Sequence, residues 1–149
     1  KMTKIFITFG FLGYSKYFPG TLASIAALPL GVALIALEAR YYLLIIIGAL
    51  SIISFFLIKE YLTETSDEDP KEVVIDEVIG QLLAILFCPL SLEAVLLSFL
   101  IFRFFDILKI YPINKIEKIE GAIGIIGDDV VSGIFTSIII YLLIYLGML

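Results

Sequence analysis

The sequence contains no histidine, no tryptophan and a single cysteine, and only 17% of its residues are charged. Without histidine there is no Ser-His-Asp triad, no Cys-His pair, no His-ligated zinc and no phosphohistidine chemistry. Cys88 lies in Leu86-Phe87-Cys88-Pro89, an apolar stretch with no adjacent cation, which favours a buried thiol over a reactive thiolate. One cysteine forms no internal disulfide, so cysteine usage says nothing of redox compartment. Catalysis is left to carboxylates, Lys, Arg, hydroxyls or a metal ion. The scarcity of charge is equally informative, because a soluble domain is normally about a quarter charged and half apolar. Here 61% of 149 residues are hydrophobic and the mean hydropathy is +1.11. So much apolar surface does not fit inside the core of one small domain. The matching solvent is a lipid bilayer, and with a net charge of -5 no nucleic-acid partner is expected.

A spanning helix needs ~20 mostly apolar residues. The apolar runs predict an all-α, multi-pass transmembrane bundle of about five helices, at approximately 21–37, 41–58, 70–88, 92–109 and 129–147. A single membrane-embedded domain then occupies 1–149. Asp69-Pro70 reads as an N-cap with a first-turn proline, extending the third span back to residue 70. Pro89, Ser91 and Glu93 break the long run between the third and fourth spans. Ile5–Leu12 has no small-residue cleavage site after it, so an interfacial or re-entrant segment is expected rather than a signal peptide. Tyr14, Tyr17 and Phe18 would then lie at headgroup level. With five spans, nine of the ten Lys and Arg fall on one side and only Arg40 on the other. The positive-inside rule places that side, with the N-terminus, in the cytoplasm.

Asp76, Glu77, Arg103, Asp106, Asp128 and Asp129 lie within or at the edges of these apolar segments, all near the expected cytoplasmic ends. Ionisable groups there cost roughly 2.5–3.5 kcal/mol each and need a partner or a water-filled site. Singly, each has a plain reading: Asp128 and Asp129 as helix caps, Arg103 and Asp106 as an i,i+3 ion pair, Lys109 as a snorkelling anchor. Together, five carboxylates at three helix ends exceed what capping requires, and their repulsion calls for a cation. An all-oxygen set suits a hard ion, Mg²⁺ before Ca²⁺ or Zn²⁺. Such ions commonly share their coordination with phosphate oxygens, whose remaining charge Arg103, Lys109 and Lys16 could meet. Gly121, Gly124 and Gly127 precede the expected Asp128 helix start, where backbone N–H groups could approach a phosphate. Pro19-Gly20-Thr21 with Ser24 forms a second loop-to-helix junction carrying hydroxyls.

Four stretches carry a resemblance. They are Phe18-Pro19-Gly20-Thr21 with Ser24 and Leu28-Pro29; Val74-Ile75-Asp76-Glu77-Val78-Ile79-Gly80; Phe102-Arg103-Phe104-Phe105-Asp106-Ile107-Leu108-Lys109 with Pro112-Ile113; and Gly124-Ile125-Ile126-Gly127-Asp128-Asp129-Val130-Val131-Ser132-Gly133. In order and spacing the chain resembles the phosphatidylglycerophosphatase A family over nearly its whole length. The resemblance implies a bacterial, Mg²⁺-dependent phosphatase of the cytoplasmic membrane. It would hydrolyse phosphatidylglycerophosphate, a phospholipid within the bilayer, to phosphatidylglycerol and phosphate. Asp76, Glu77, Asp106, Asp128 and Asp129 are then the expected ligands of one or two Mg²⁺ ions. Asp76, Asp106, Asp129, Arg103 and Lys109 are the expected catalytic set, with Lys16, Thr21, Ser24, Gly124 and Gly127 as substrate-binding candidates. The chain departs from the family pattern at Ala23, where Gly is usual, at Ile110, where Pro is usual, and near Glu117-Lys118, where the family usually has an Asp-Arg pair. The competing class is a small ion-binding transporter or channel. It would need charge through the membrane, whereas the last apolar run, 130–149, carries none.

Overall fold

The computed structural model describes residues 2–149. Among them there are seven α-helices and no strand: α1 (Met2–Ile7), α2 (Pro19–Ala36), α3 (Arg40–Glu64), α4 (Ile75–Ala84), α5 (Leu92–Leu108), α6 (Ile113–Ile116) and α7 (Ala122–Tyr145). A 3₁₀ turn, Leu12–Tyr14, follows α1. Three helices, α2, α3 and α7, are long and apolar enough to cross a membrane. α3 shows why the composition is so apolar. Its Tyr41, Tyr42, Leu44, Ile45, Ile52, Ile53 and Phe56 all face outward, a surface suited to lipid rather than water.

The helix at the centre is the short one. Eight of the ten residues of α4 are buried, and it packs against α2, α3, α5 and α7. The expected helix over 70–88 is corrected here: at ~1.5 Å per residue, the ten residues of α4 reach only about half-way across a bilayer. Residues 70–74 are captured by the N-terminal segment instead. The Val74 N–H donates to the Ile7 carbonyl at 2.9 Å, and the Glu72 carbonyl lies where a side chain on Gly13 would stand. Tyr61 on α3 adds a hydrogen bond to Glu72 Oε1 at 2.5 Å.

The other end of α4 is met by Arg40. Its guanidinium donates to the carbonyls of Leu86 and Cys88 at 2.6 and 2.7 Å, oxygens that a helix end in an apolar bundle otherwise leaves without partners. The one cation expected on the far side thus closes the chain where α4 stops. α5 begins at an N-cap, with Ser91 accepting from the Ala94 N–H.

Small residues set the helix separations. Gly20, Ser24, Ala27 and Gly31 are buried on α2, and side chains of α4 fill the space: Glu77 against Gly20, Ile85 and Leu82 against Gly31. α4 crosses α7 where two glycines oppose each other. A Cβ on Gly80 would come within 2.7 Å of the Asp129 carbonyl oxygen, and one on Gly133 within 2.5 Å of the Gly80 carbonyl oxygen. Such backbone approach is the use small residues have in membrane bundles.

Candidate active site

The glycine crossing decides where the carboxylates go. Asp76 lies one helical turn before Gly80 on α4, and Asp129 one turn before Gly133 on α7. Residues four apart share a helix face, so the contact that brings the glycines together also brings the two carboxylates together. Glu77 joins them from the first turn of α4. One carboxylate oxygen from each of Asp76, Glu77 and Asp129 lies within 4.8 Å of the others. Asp76 and Asp129 are buried and Glu77 nearly so. Asp76 Oδ1, Glu77 Oε2 and Asp129 Oδ1 are shielded and have no hydrogen-bond partner.

The remaining acids are occupied. Asp106 on α5 forms an ion pair with Arg103 one turn earlier. Asp128 Oδ2 accepts from the Lys109 ammonium at 2.5 Å, and its Oδ1 accepts from the Asp129 N–H at 2.9 Å. Lys109 also lies 3.5 Å from Glu117 Oε1 and 3.9 Å from Asp106 Oδ1. Its backbone is left-handed, at φ 45°, where it terminates α5. The five carboxylates expected to act together therefore divide. Asp106 and Asp128 form ion pairs, whereas Asp76, Glu77 and Asp129 form none among the described residues. Three shielded carboxylates without an ion-pair partner repel one another and are costly to maintain. Their orphaned oxygens fit a hard divalent cation, which takes oxygen ligands and neutralises them together.

These groups open into a cavity of about 820 Å³. Pro19 and Gly20 of α2 form one wall, the 65–71 loop another, and Glu117–Gly121 a third; Asp106, Lys109, Gly124 and Asp128 complete the interior with the acidic trio. The acidic residues Asp67, Glu68 and Asp69 thus belong to a wall of the site. The residues expected to bind substrate are only partly brought to this cavity. Lys16 is exposed, with its ammonium 5.6 Å from the Tyr17 ring centre. The Ser24 hydroxyl donates to the Gly20 carbonyl of its own helix at 3.0 Å, and neither Ser24 nor Thr21 lines the cavity. Gly124 and Gly127 lie inside α7, which starts six residues earlier than Asp128. Asp128 and Asp129 are second-turn residues, not caps. Gly121, at φ 82°, makes the turn into that helix. Gly124 admits the Ile119 and Glu117 carbonyls, and Gly127 packs under Ile116. Of the pair, only Gly124 borders the cavity.

The family model described as phosphatidylglycerophosphatase A matches residues 5–144. The chain belongs to the phosphatidylglycerophosphatase A family. A phosphatidylglycerophosphatase A of Haemophilus influenzae is 34% identical over 129 residues, covering 85% of this chain and 79% of that protein. The Escherichia coli protein of the same name is 29% identical over 131 residues, covering 87% and 76%. A Bacteroides thetaiotaomicron protein, provisionally named a phosphatidylinositol-3-phosphatase, is 32% identical over 134 residues, covering 86% and 84%. No solved structure matches the chain. Family membership makes the chain a phosphatase.

Two contributors escape sequence reasoning. Glu117 reaches Lys109 only because α6 folds the chain back over α7, and the Gly80–Gly133 crossing is visible only once α4 and α7 are packed. Both glycines stand in the family-like motifs, but a motif does not say which helix a glycine admits.

Proposed function

We propose that this chain, as one membrane-embedded domain over residues 1–149, hydrolyses the terminal phosphomonoester of phosphatidylglycerophosphate to phosphatidylglycerol and inorganic phosphate. The observation that carries this reading is the buried, cation-free trio of Asp76, Glu77 and Asp129 inside a cavity edged by Lys109. In a lipid phosphatase, such a trio is best explained as the seat of Mg²⁺. A bound Mg²⁺ would supply Lewis-acid polarisation of the phosphoryl oxygens and neutralise charge as the transition state forms. Asp76, Glu77 and Asp129 would hold it. Asp106 and Asp128 would act next to it, with Lys109 facing the phosphate and Arg103, which does not line the cavity, acting through its ion pair with Asp106.

The attacking group is a water, whose proton passes to one of these carboxylates, or a carboxylate oxygen itself. In either case the new P–O bond forms opposite the departing glycerol oxygen, which leaves with the electron pair of the broken bond and takes a proton. Where the carboxylate attacks, a water then adds to the phosphorus of the acyl phosphate, the P–O bond to the carboxylate breaks, and inorganic phosphate leaves as the carboxylate is regenerated. Five spans remain the reading that puts this site and the N-terminus together on the cytoplasmic face of a bacterial cytoplasmic membrane. α5, with seventeen residues, and α4 with its extension to Pro89 would complete the five.

The test is phosphate release from phosphatidylglycerophosphate in mixed micelles, run beside phosphatidylinositol 3-phosphate because one relative carries that substrate in its name. Mg²⁺-dependent release, faster from phosphatidylglycerophosphate, supports the proposal. Release from the inositol lipid alone would replace the substrate, and release from neither would refute the phosphatase reading.

A further inference from the structure

Lys109 is a cation already in use. Its ammonium faces three carboxylates, and they hold it unequally. Asp128 is bonded at 2.5 Å, whereas Glu117 and Asp106 lie at 3.5 and 3.9 Å, within ion-pair reach only. The three also differ in freedom. The side chains of Asp128 and Asp106 are 7% and 9% exposed, that of Glu117 is 41% exposed. The backbone of Glu117 is tied by its N–H, which donates to the Ile113 carbonyl at 3.0 Å. The glutamate can leave Lys109 by side-chain rotation alone, without moving the loop.

A phosphate in this cavity is an anion approaching an ammonium that another anion already covers. We propose that Glu117 is a positioning residue that sets phosphate affinity: it covers Lys109 in the empty site and is displaced when a phosphate group takes its place. The proposal rests on the phosphatase reading of the cavity. It goes further by assigning a role to a residue outside the expected catalytic, metal-binding and substrate-binding set. The glutamate weakens phosphate binding by the strength of one half-exposed ion pair. Its chemical consequence is easier product release, because the carboxylate returns to Lys109 as inorganic phosphate departs.

Glu117→Gln and Glu120→Gln separate this from general electrostatics. Both remove one negative charge from the cavity wall, but Glu120 has no ion pair with Lys109 among the described residues. The probe is inorganic phosphate, read as product inhibition of lipid hydrolysis and by calorimetric titration of the metal-free protein in detergent. Glu117→Gln is expected to tighten phosphate binding and lower KM about two- to fivefold, the range of a partly exposed ion pair. Its kcat should stay level or fall, and Glu120→Gln should shift phosphate binding less. A structural role for Glu117 would weaken binding instead. Unchanged or weakened phosphate binding in Glu117→Gln, or an equal shift in Glu120→Gln, overturns the proposal. Absence of lipid hydrolysis by the parent protein would refute the phosphatase reading separately, and the calorimetric arm would still decide whether Glu117 competes with phosphate.

Discussion

Replacing Gly80 by Ala adds one methyl group where the structure has no room for it. A Cβ there would lie 2.6 Å from the buried Phe102 ring and 2.7 Å from the Asp129 carbonyl oxygen, whereas ordinary contact begins near 3.4 Å. The ring can yield by a rotamer change only into a packed core, and the carbonyl cannot yield without moving α7. Helices α4 and α7 must therefore part by about 0.7 Å, with an overpacking cost of about 1–3 kcal/mol. The separation opens one turn from Asp76 and at the backbone of Asp129 itself, so it widens the carboxylate trio directly. A 1 Å misplacement in a catalytic array costs on the order of a hundredfold in rate. Gly80→Ala should accordingly lose about ten- to a hundredfold in kcat/KM for lipid phosphate release and require more Mg²⁺ for half-maximal activity. Gly48→Ala supplies the control. Gly48 has nothing within 4 Å of an added Cβ, so alanine there should keep full activity and gain up to about 1 kcal/mol of helix propensity. Parent-like activity and Mg²⁺ requirement in Gly80→Ala would refute the claim that the glycine crossing sets the site.

Further outcomes follow from the same geometry. Asp129→Asn should raise the thermal unfolding temperature in chelator, because it removes one of three buried, unpaired charges. It should also abolish the stabilisation that the parent gains from Mg²⁺, about 2.7 kcal/mol at a hundred times the dissociation constant; thermal scans with and without Mg²⁺ measure both. Arg40→Ala should destabilise the protein by about 1–3 kcal/mol, since the Leu86 and Cys88 carbonyls lose their donors; detergent-solubilised unfolding curves report it. Ser24→Ala should change kcat/KM less than twofold in the phosphate-release assay, because that hydroxyl is spent on the Gly20 carbonyl.

The sequence made the solvent and the chemistry legible for different reasons. Apolar runs report on lipid contact directly, and α2, α3 and α7 lie where those runs predict, with shifted ends. Asp69-Pro70 has the composition of a helix start, but the helix of the expected third span begins only at Ile75. What prevents the helix is tertiary: the Val74 N–H and the Glu72 carbonyl are held by Ile7 and Gly13, more than fifty residues away in sequence. The same holds for the site. Buried carboxylates stand out in an apolar chain, so Asp76, Glu77, Asp106, Asp128 and Asp129 were all visible. Their division into a cation-free trio and two ion-paired acids was not, because it depends on which oxygen Lys109 and Arg103 reach. Glycines were the least legible. Gly124 and Gly127 suggested a phosphate loop, but the helix containing them begins at Ala122 and uses their bareness to admit residues 116–119.

The central claim is that Asp76, Glu77 and Asp129 together hold a divalent cation that the lipid phosphatase reaction requires. It is tested most directly by following phosphate release from phosphatidylglycerophosphate after chelation and stepwise return of Mg²⁺, in the parent and in Asp129→Asn. The account predicts that chelation silences the parent, that Mg²⁺ restores it along a saturable curve, and that Asp129→Asn stays silent throughout. Phosphate release that persists undiminished in chelator, or an Asp129→Asn protein restored by the same Mg²⁺ concentrations, would contradict it.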